Sequence, residues 1–242
     1  MESRLNQAAS PSQSSAFIQQ VLSGNPRLAV FDCDGTLWSG DAGADFFYWE
    51  IERGLLPKSV ADWALERYKG YLAGAVDELT ICGEMVTIHA GVKLEIIRNA
   101  AREFFAKHVA KRVFPEMLEL TRQLAAHGCE IWAVSSTNDW VIEAGVEQFG
   151  IPASRVLAAC VECADGMASG KLIRVPTDEL KATAINEVIQ RTPDAVFGNS
   201  IHDLAMLEIA GDAYAVNPNA DLGKEAETRG WKIFWPEAVK FV

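Results

Sequence analysis

The sequence predicts an α/β fold: a parallel sheet covered by helices, with a helical-bundle cap inserted after the first strand. Three observations lead there. Short apolar runs alternate with helical segments, the pattern of strand–helix units. One interval of about ninety residues after the first run is helical in pattern and holds no strand. Finally, polar clusters fall at the ends of the apolar runs, where open α/β sheets hold their ligands. The 242 residues, 49% hydrophobic and 23% charged, suffice for one domain with a smaller insert.

The elements follow in order. Residues 1–15 (MESRLNQAASPSQSS) are polar without an apolar run, which predicts a loose tail rather than a secretory signal. Leu28 to Asp32 (LAVFD) is the first buried strand, continuously apolar as a central parallel strand must be. From Asp41 to Arg112 the pattern is helical, punctuated by Gly54, Pro57, Gly70, Gly74 and Gly91, and predicts three or four helices packed as a bundle. A helix over 116–126, ended by Gly128, precedes a strand at 130–134 (EIWAV). A helix over 139–149, a strand at 155–161, a helix over 178–190 and a strand at 195–197 follow. A helix over 201–209, a strand at 213–216 and a late edge strand at 231–235 complete the chain. The predicted organisation is therefore a tail (1–15), an α/β core (16–40 and 113–242) and a helical cap (41–112).

Composition narrows the function. The net charge is −11 and the basic residues are scattered, which argues against nucleic acid or an anionic membrane as partner. No stretch reaches the roughly 20 apolar residues of a membrane helix. Five cysteines, an odd number and widely spread, predict reduced thiols and a cytoplasmic location. Cys160 and Cys163 form one CxxC, but no second pair supplies the other ligands of a zinc site, so both read as small strand residues.

The chemistry stands at the strand ends. The first strand runs into Asp32-Cys33-Asp34-Gly35-Thr36, the second into Ser135-Ser136-Thr137-Asn138, and the strand at 195–197 into Gly198-Asn199-Ser200-Ile201-His202-Asp203. Lys181 opens the intervening helix. Hydroxyls, a lysine and carboxylates converging on one sheet edge have the composition of a magnesium and phosphate site. A phosphate monoester is dianionic, so attack by a carboxylate requires that its charge be neutralised, by Mg²⁺ and by a lysine. A carboxylate nucleophile divides hydrolysis into formation and breakdown of an aspartyl phosphate, and a second carboxylate can serve the proton transfers of both halves. Taken singly, Ser135 would be a helix cap, Lys181 a solvated lysine and the last cluster a turn. DxDGT, by contrast, arises by chance in about three of a thousand chains of this length at average residue usage.

These four clusters, in this order, resemble the four motifs of the haloacid dehalogenase-like superfamily, over nearly the whole chain from Leu28 to about Pro236. The resemblance implies a Rossmann-like core and, in the helical insert, the first type of cap found in phosphoserine phosphatases. It implies Asp32 as nucleophile, Asp34 as general acid/base, Ser135 and Ser136 as phosphate-binding residues, and Lys181 holding both phosphate and nucleophile. Mg²⁺ would sit on Asp32, the backbone carbonyl of Asp34 and Asn199, with Asp203 behind them orienting Lys181 or a metal-bound water. The acid at Asp34 points to phosphatases and phosphomutases, since the superfamily's dehalogenases and ion-pumping ATPases lack it. The fourth motif departs from the usual GDxxxD, because Asn199 replaces the first acid. An amide oxygen still ligates Mg²⁺, without the charge.

Specificity is expected from the cap. Asp41 lies nine residues after Asp32, where phosphoserine phosphatases carry a glutamate that contacts the substrate amino group. Asp45 lies one helical turn further on the same face. Both also suit the positive end of a helix. The stretch 77–89, where those phosphatases place an arginine for the substrate carboxylate, has no arginine or lysine, which weighs against phosphoserine itself. Aromatic cap residues facing the pocket beside Asp41 would accept a cationic leaving group such as choline or ethanolamine. The expected function is thus an Mg²⁺-dependent phosphatase of a small-metabolite phosphomonoester, acting as a monomer or homodimer. The alternatives are a phosphomutase with the same chemistry and a non-catalytic phosphate-binding domain with a decayed fourth motif.

Overall fold

A computed structural model of the chain describes residues 12–237. Most of the expected tail thus lies outside the described residues, but residues 13–15 are already the first turn of α1 (Gln13–Ser23), capped by the Ser12 side chain. The elements then run β1 (Leu28–Phe31), α2 (Ala42–Glu52), α3 (Lys58–Leu72), α4 (Glu78–Thr87), α5 (Leu94–Phe104), α6 (Pro115–Ala126), β2 (Glu130–Asn138) and α7 (Asp139–Val146). They continue through β3 (Val156–Ala164), β4 (Met167–Arg174), α8 (Glu179–Ala184), β5 (Ala195–Gly198), α9 (Leu204–Glu208), β6 (Asp212–Val216), α10 (Ala220–Arg229) and β7 (Lys232–Phe234).

The fold is the predicted α/β sheet, seven strands in the order β4-β3-β2-β1-β5-β6-β7, parallel except for β4. β1 is central and wholly buried, paired with β2 through Leu28–Glu130 and with β5 through Ala29–Ala195. The chain fills one side of the sheet through β2 and the other through β5, so β1 lies at the topological switch point, where α/β sheets bind ligands. The Phe31, Phe197 and Tyr214 rings stack in register across β1, β5 and β6, at centroid spacings of 4.2 and 4.7 Å.

The sequence pattern missed β4. Its residues are mostly exposed and interleaved with glycine and lysine, so it lacks the apolar run that marks buried strands. It pairs antiparallel with β3 through a two-residue turn in which Asp165 (φ 51°) and Gly166 (φ 75°) both adopt left-handed conformations. An Asp-Gly pair between extended segments is the local signal that would have revealed this hairpin. Cys160 and Cys163 are free thiols on β3.

Four helices, α2 to α5, fill the interval between β1 and α6, as the pattern implied. α2, α3 and α4 share an apolar cluster that includes Phe47, Ala64, Tyr68, Ile81 and Ile88. Phe46 of α2 and Ile97, Ala101 and Phe104 of α5 instead join the main core beside the sheet. α5 packs on α7, which itself lies against β2 and β3, while α4 contacts β2, β3 and β4 directly and α2 touches β2.

Candidate active site

The site begins where β1 stops. Asp32 N–H donates to the Phe197 carbonyl at 2.8 Å, the last rung of the β1–β5 ladder, and the carboxylate emerges just beyond it. Asp32 is buried, with Oδ1 2.8 Å from Lys181 Nζ and Oδ2 accepting from Thr36 Oγ1 at 2.8 Å. Burial and the neighbouring Asp203 push its carboxyl up to about 6, against the opposing pull of Lys181 and Thr36.

Lys181 is 3% exposed and spans two acids, since its Nζ also lies 2.5 Å from Asp203 Oδ1. Burial opposes its charge, but Asp203 and Asp32 together outweigh burial and hold the ammonium protonated above its ordinary range. Asp203 is fully buried, and its second oxygen accepts from the backbone N–H groups of Asn199 (2.8 Å) and Ser200 (3.0 Å). Asp203 thus shapes the loop that presents Asn199 and fixes Lys181. The lysine begins a helix entered through Asp178, whose φ of 47° is left-handed and whose carboxylate meets His202 Nδ1 at 2.7 Å.

Asp34 stands across the loop. Its Oδ1 accepts from Trp38 Nε1 and Ala42 N, each at 2.7 Å, and its Oδ2 pairs with Thr137 Oγ1 at 2.8 Å. Burial and then Asp41 push this carboxyl up to about 7, against those three donors. Cys33 between the two acids is fully buried in the main core, as strand alternation requires.

The end of β2 meets this loop because the strand is irregular. Pairing with β3 shifts between Val134 and Asn138, so Ser135, Ser136 and Thr137 leave the ladder. Ser135 Oγ then accepts from Thr137 N at 3.1 Å, and Thr137 reaches Asp34. Asn138 caps α7 through Val141 N. Gly43 allows α2 to approach, since a Cβ there would lie 2.5 Å from Thr137 Oγ1.

The donor set suits a hard divalent cation. A Cβ on Gly35, whose φ is +80°, would lie 1.8 Å from Asn199 Nδ2, so the Asn199 amide packs directly on the Asp34–Gly35 backbone. Asn217, also left-handed at φ 47°, holds that backbone from below by donating Nδ2–H to the Gly35 carbonyl at 3.1 Å. The Asp32 carboxylate, the Asp34 carbonyl and the Asn199 amide are oxygen donors of the kind Mg²⁺ takes, completed by water and phosphate oxygens. Among the described residues no three His, Cys, Asp or Glu side chains form a metal cage.

The structure therefore gathers Asp32, Lys181 and Asp203 into one hydrogen-bonded line and joins Asp34 to the β2 end and Asn199 to the Asp34–Gly35 turn. It separates the two acids expected to set specificity. Asp41 caps α2 through Ala44 N at 2.8 Å and lines a cleft under the inserted helices. Asp45 turns away to Arg112, with which it forms an ion pair at 2.7 Å, and does not line that cleft. Sequence reasoning assigned no role to Thr36 or Thr137 and counted Trp38 only among the cap aromatics, although Thr36 and Trp38 lie four residues after Asp32 and Asp34. Trp140 and His89 pack together at 4.9 Å inside the protein, and His89 bonds to Glu50 at 2.7 Å.

An aspartate pair at the end of a central parallel strand, with a buried lysine and hydroxyl groups from the neighbouring segments, defines a phosphoester hydrolase of the α/β type. The chain belongs to the haloacid dehalogenase-like hydrolase family, whose pattern it matches over residues 29–208. It is 27% identical over 217 residues to a histidinol-phosphatase of Neisseria meningitidis, covering 85% of this chain and 97% of that one. A phosphoserine phosphatase of Mycobacterium tuberculosis is 23% identical over 220 residues, 85% of this chain and 69% of that one. The fold also matches a Bordetella pertussis protein of unknown function, with a TM-score of 0.72, 22% identity, and coverage of 86% of this chain and 97% of that one. A phosphoserine phosphatase solved as a phospho-aspartyl intermediate analogue gives a TM-score of 0.57 at 17% identity, covering 86% and 92%. The protein is a phosphatase-type hydrolase of this family.

Proposed function

We propose that the protein is an Mg²⁺-dependent phosphomonoesterase that hydrolyses a small cytoplasmic metabolite through an aspartyl phosphate on Asp32. The observation that carries this is the buried line Asp32–Lys181–Asp203, with Lys181 Nζ 2.8 Å from Asp32 Oδ1. The lysine keeps the nucleophile aimed and supplies positive charge where a phosphoryl group would arrive. Asp32, the Asp34 carbonyl and Asn199 would hold the metal, which supplies charge neutralisation for the dianionic ester. Ser135 and Ser136 would donate to phosphoryl oxygens.

In the first half-reaction an Asp32 oxygen attacks phosphorus and the bond to the leaving oxygen breaks. Asp34, in its protonated form, donates to that oxygen. In the second half water attacks phosphorus, Asp34 accepts its proton, and the Asp32–phosphorus bond breaks. A carboxyl pushed up to about 7 by burial exchanges its proton near neutral pH, as both halves require. In this reading residues 41–112 form a cap over the core of 16–40 and 113–242, closing to exclude bulk water. The Neisseria and Mycobacterium relatives, named for histidinol phosphate and phosphoserine, support a small phosphorylated metabolite as substrate. No helix among the described residues is long and apolar enough to cross a membrane.

The test is inorganic phosphate release from p-nitrophenyl phosphate and a panel of small phosphomonoesters. Release that requires Mg²⁺, stops with chelator and vanishes in Asp32→Asn is the expected result. Binding of phosphate analogues without any turnover would overturn it.

A further inference from the structure

Between α2, α3, α4 and the irregular end of β2 lies a small cleft of about 60 Å³. Its floor is Ser136, Thr137 and Asn138, so it opens beside the residues assigned to the phosphoryl group. Every charged residue lining it is an acid: Asp41, Glu50 and Glu78. Among the described residues no lysine, arginine or histidine lines it.

The three acids differ in how they are answered. Glu50 is buried against His89 Nε2 at 2.7 Å, and that pair is complete. Glu78 meets neutral donors: the Tyr71 hydroxyl bonds to Oε2 and the Cys82 thiol lies 3.6 Å from Oε1. Cys82 also contacts Ser136, which ties Glu78 to the phosphate end of the cleft. Asp41 caps α2 with Oδ1. Among the described residues no ion pair engages Asp41 or Glu78. Two carboxylates therefore line one cleft without a counter-cation among the described residues. Burial, and then Asp41, push the Tyr68 phenol up to about 12, and Glu78 adds to that push. Burial likewise raises Asp41, with Asp45 and Glu78 adding as like charges.

The rest of the wall is aromatic. Phe47 and Tyr68 stand 5.2 Å apart and Tyr68 and Tyr71 5.8 Å apart between ring centroids, a continuous π surface beside the two acids. Carboxylates and aromatic rings together recognise organic cations. An anionic leaving group would meet two like charges with no cation to receive it.

We propose that this cleft selects the leaving group as an organic cation without a carboxylate, so that the substrate class is the phosphomonoesters of amino alcohols, with Asp41 and Glu78 as the specificity-determining acids. The inference rests on the phosphatase reading above and names the substrate class of that same site. Amino-acid phosphates, sugar bisphosphates and nucleoside di- and triphosphates fall outside it, because each brings further negative charge.

The experiment compares kcat/KM within matched pairs. 2-Amino-3-phenylpropyl phosphate and 3-phenylpropyl phosphate differ by the ammonium; phosphoethanolamine and phosphoserine differ by the carboxylate. The ammonium is expected to raise kcat/KM about tenfold, mainly through KM, and the carboxylate to lower it by a similar factor. Glu78→Gln and Asp41→Asn, the latter keeping a good helix cap, should each shrink the ammonium preference toward one. Equal rates within each pair, or a preference unmoved by both substitutions, would overturn the inference. Asp32-dependent hydrolysis of p-nitrophenyl phosphate with no ammonium preference sinks the specificity assignment alone. Absence of hydrolysis from every ester sinks the phosphatase reading and this one with it.

Discussion

Replacing Lys181 with methionine removes the ammonium that stands between Asp32 and Asp203 while keeping a side chain of similar length. All three groups are at most 5% exposed, so water cannot take the place of the lost charge. Removing one partner of a buried ion pair costs about 3–5 kcal/mol, because the remaining charge stays desolvated. The loss should depend on pH with a definite sign. Burial already raises the Asp32 carboxyl to about 6 with the lysine in place, well above its ordinary 3.8. A group raised on folding contributes stability that is full below its unfolded value and is lost as pH rises through its folded value. Without Lys181 the carboxyl rises further, and protonation relieves it over a wider range. Lys181→Met is therefore expected to lose the full 3–5 kcal/mol at pH 8 and visibly less at pH 5. The assay is urea unfolding followed by tryptophan fluorescence, with chelator present, at both pH values. In thermal melts at pH 8 the shift should be about 10 °C for a chain of this size. Adding Asp203→Asn to Lys181→Met should recover part of the loss, since the asparagine carbonyl can still accept from Asn199 and Ser200. A loss below about 1 kcal/mol at pH 8, or an equal loss at both pH values, would refute the buried-pair argument.

Three further outcomes are expected. Gly35→Ala must hold an L residue at φ +80° with a Cβ 1.8 Å from Asn199 Nδ2, so it should cost at least about 1 kcal/mol in urea unfolding and displace Asn199, lowering phosphate release. Asn199→Asp restores a second carboxylate to the proposed metal site, and the Mg²⁺ concentration for half-maximal phosphate release should fall about tenfold. Burial, and then Glu143, push Asp139 up to about 7, and its Oδ1 is buried without a partner. Its contribution to stability is therefore full below about pH 4 and lost as pH rises through 7. Asp139→Asn should gain about 2 kcal/mol over the parent in urea melts at pH 8, and no gain should appear at pH 4.

The sequence by itself determined the central strand, the acidic turn that follows it and the order of the four clusters. Those features are local: a run of four apolar residues buries itself in a sheet, and Gly35 allows a tight turn just beyond it. Tertiary structure decided the rest. Asp41 and Asp45 sit one turn apart on one helix and are equivalent by periodicity, yet Arg112, 67 residues away from Asp45, draws one off while the other lines the cleft. The bond from Lys181 to Asp32 spans 149 residues, and no spacing within α8 announces it. Glu78 and Glu50 look like ordinary helix acids, and their enclosure depends on how α2, α3 and α4 pack over β2. The irregularity that frees Ser135 to Thr137 depends on pairing with β3. Periodicity reports which face of an element is buried; which charges meet inside depends on contacts between elements distant in the chain, and local propensity carries no information about those.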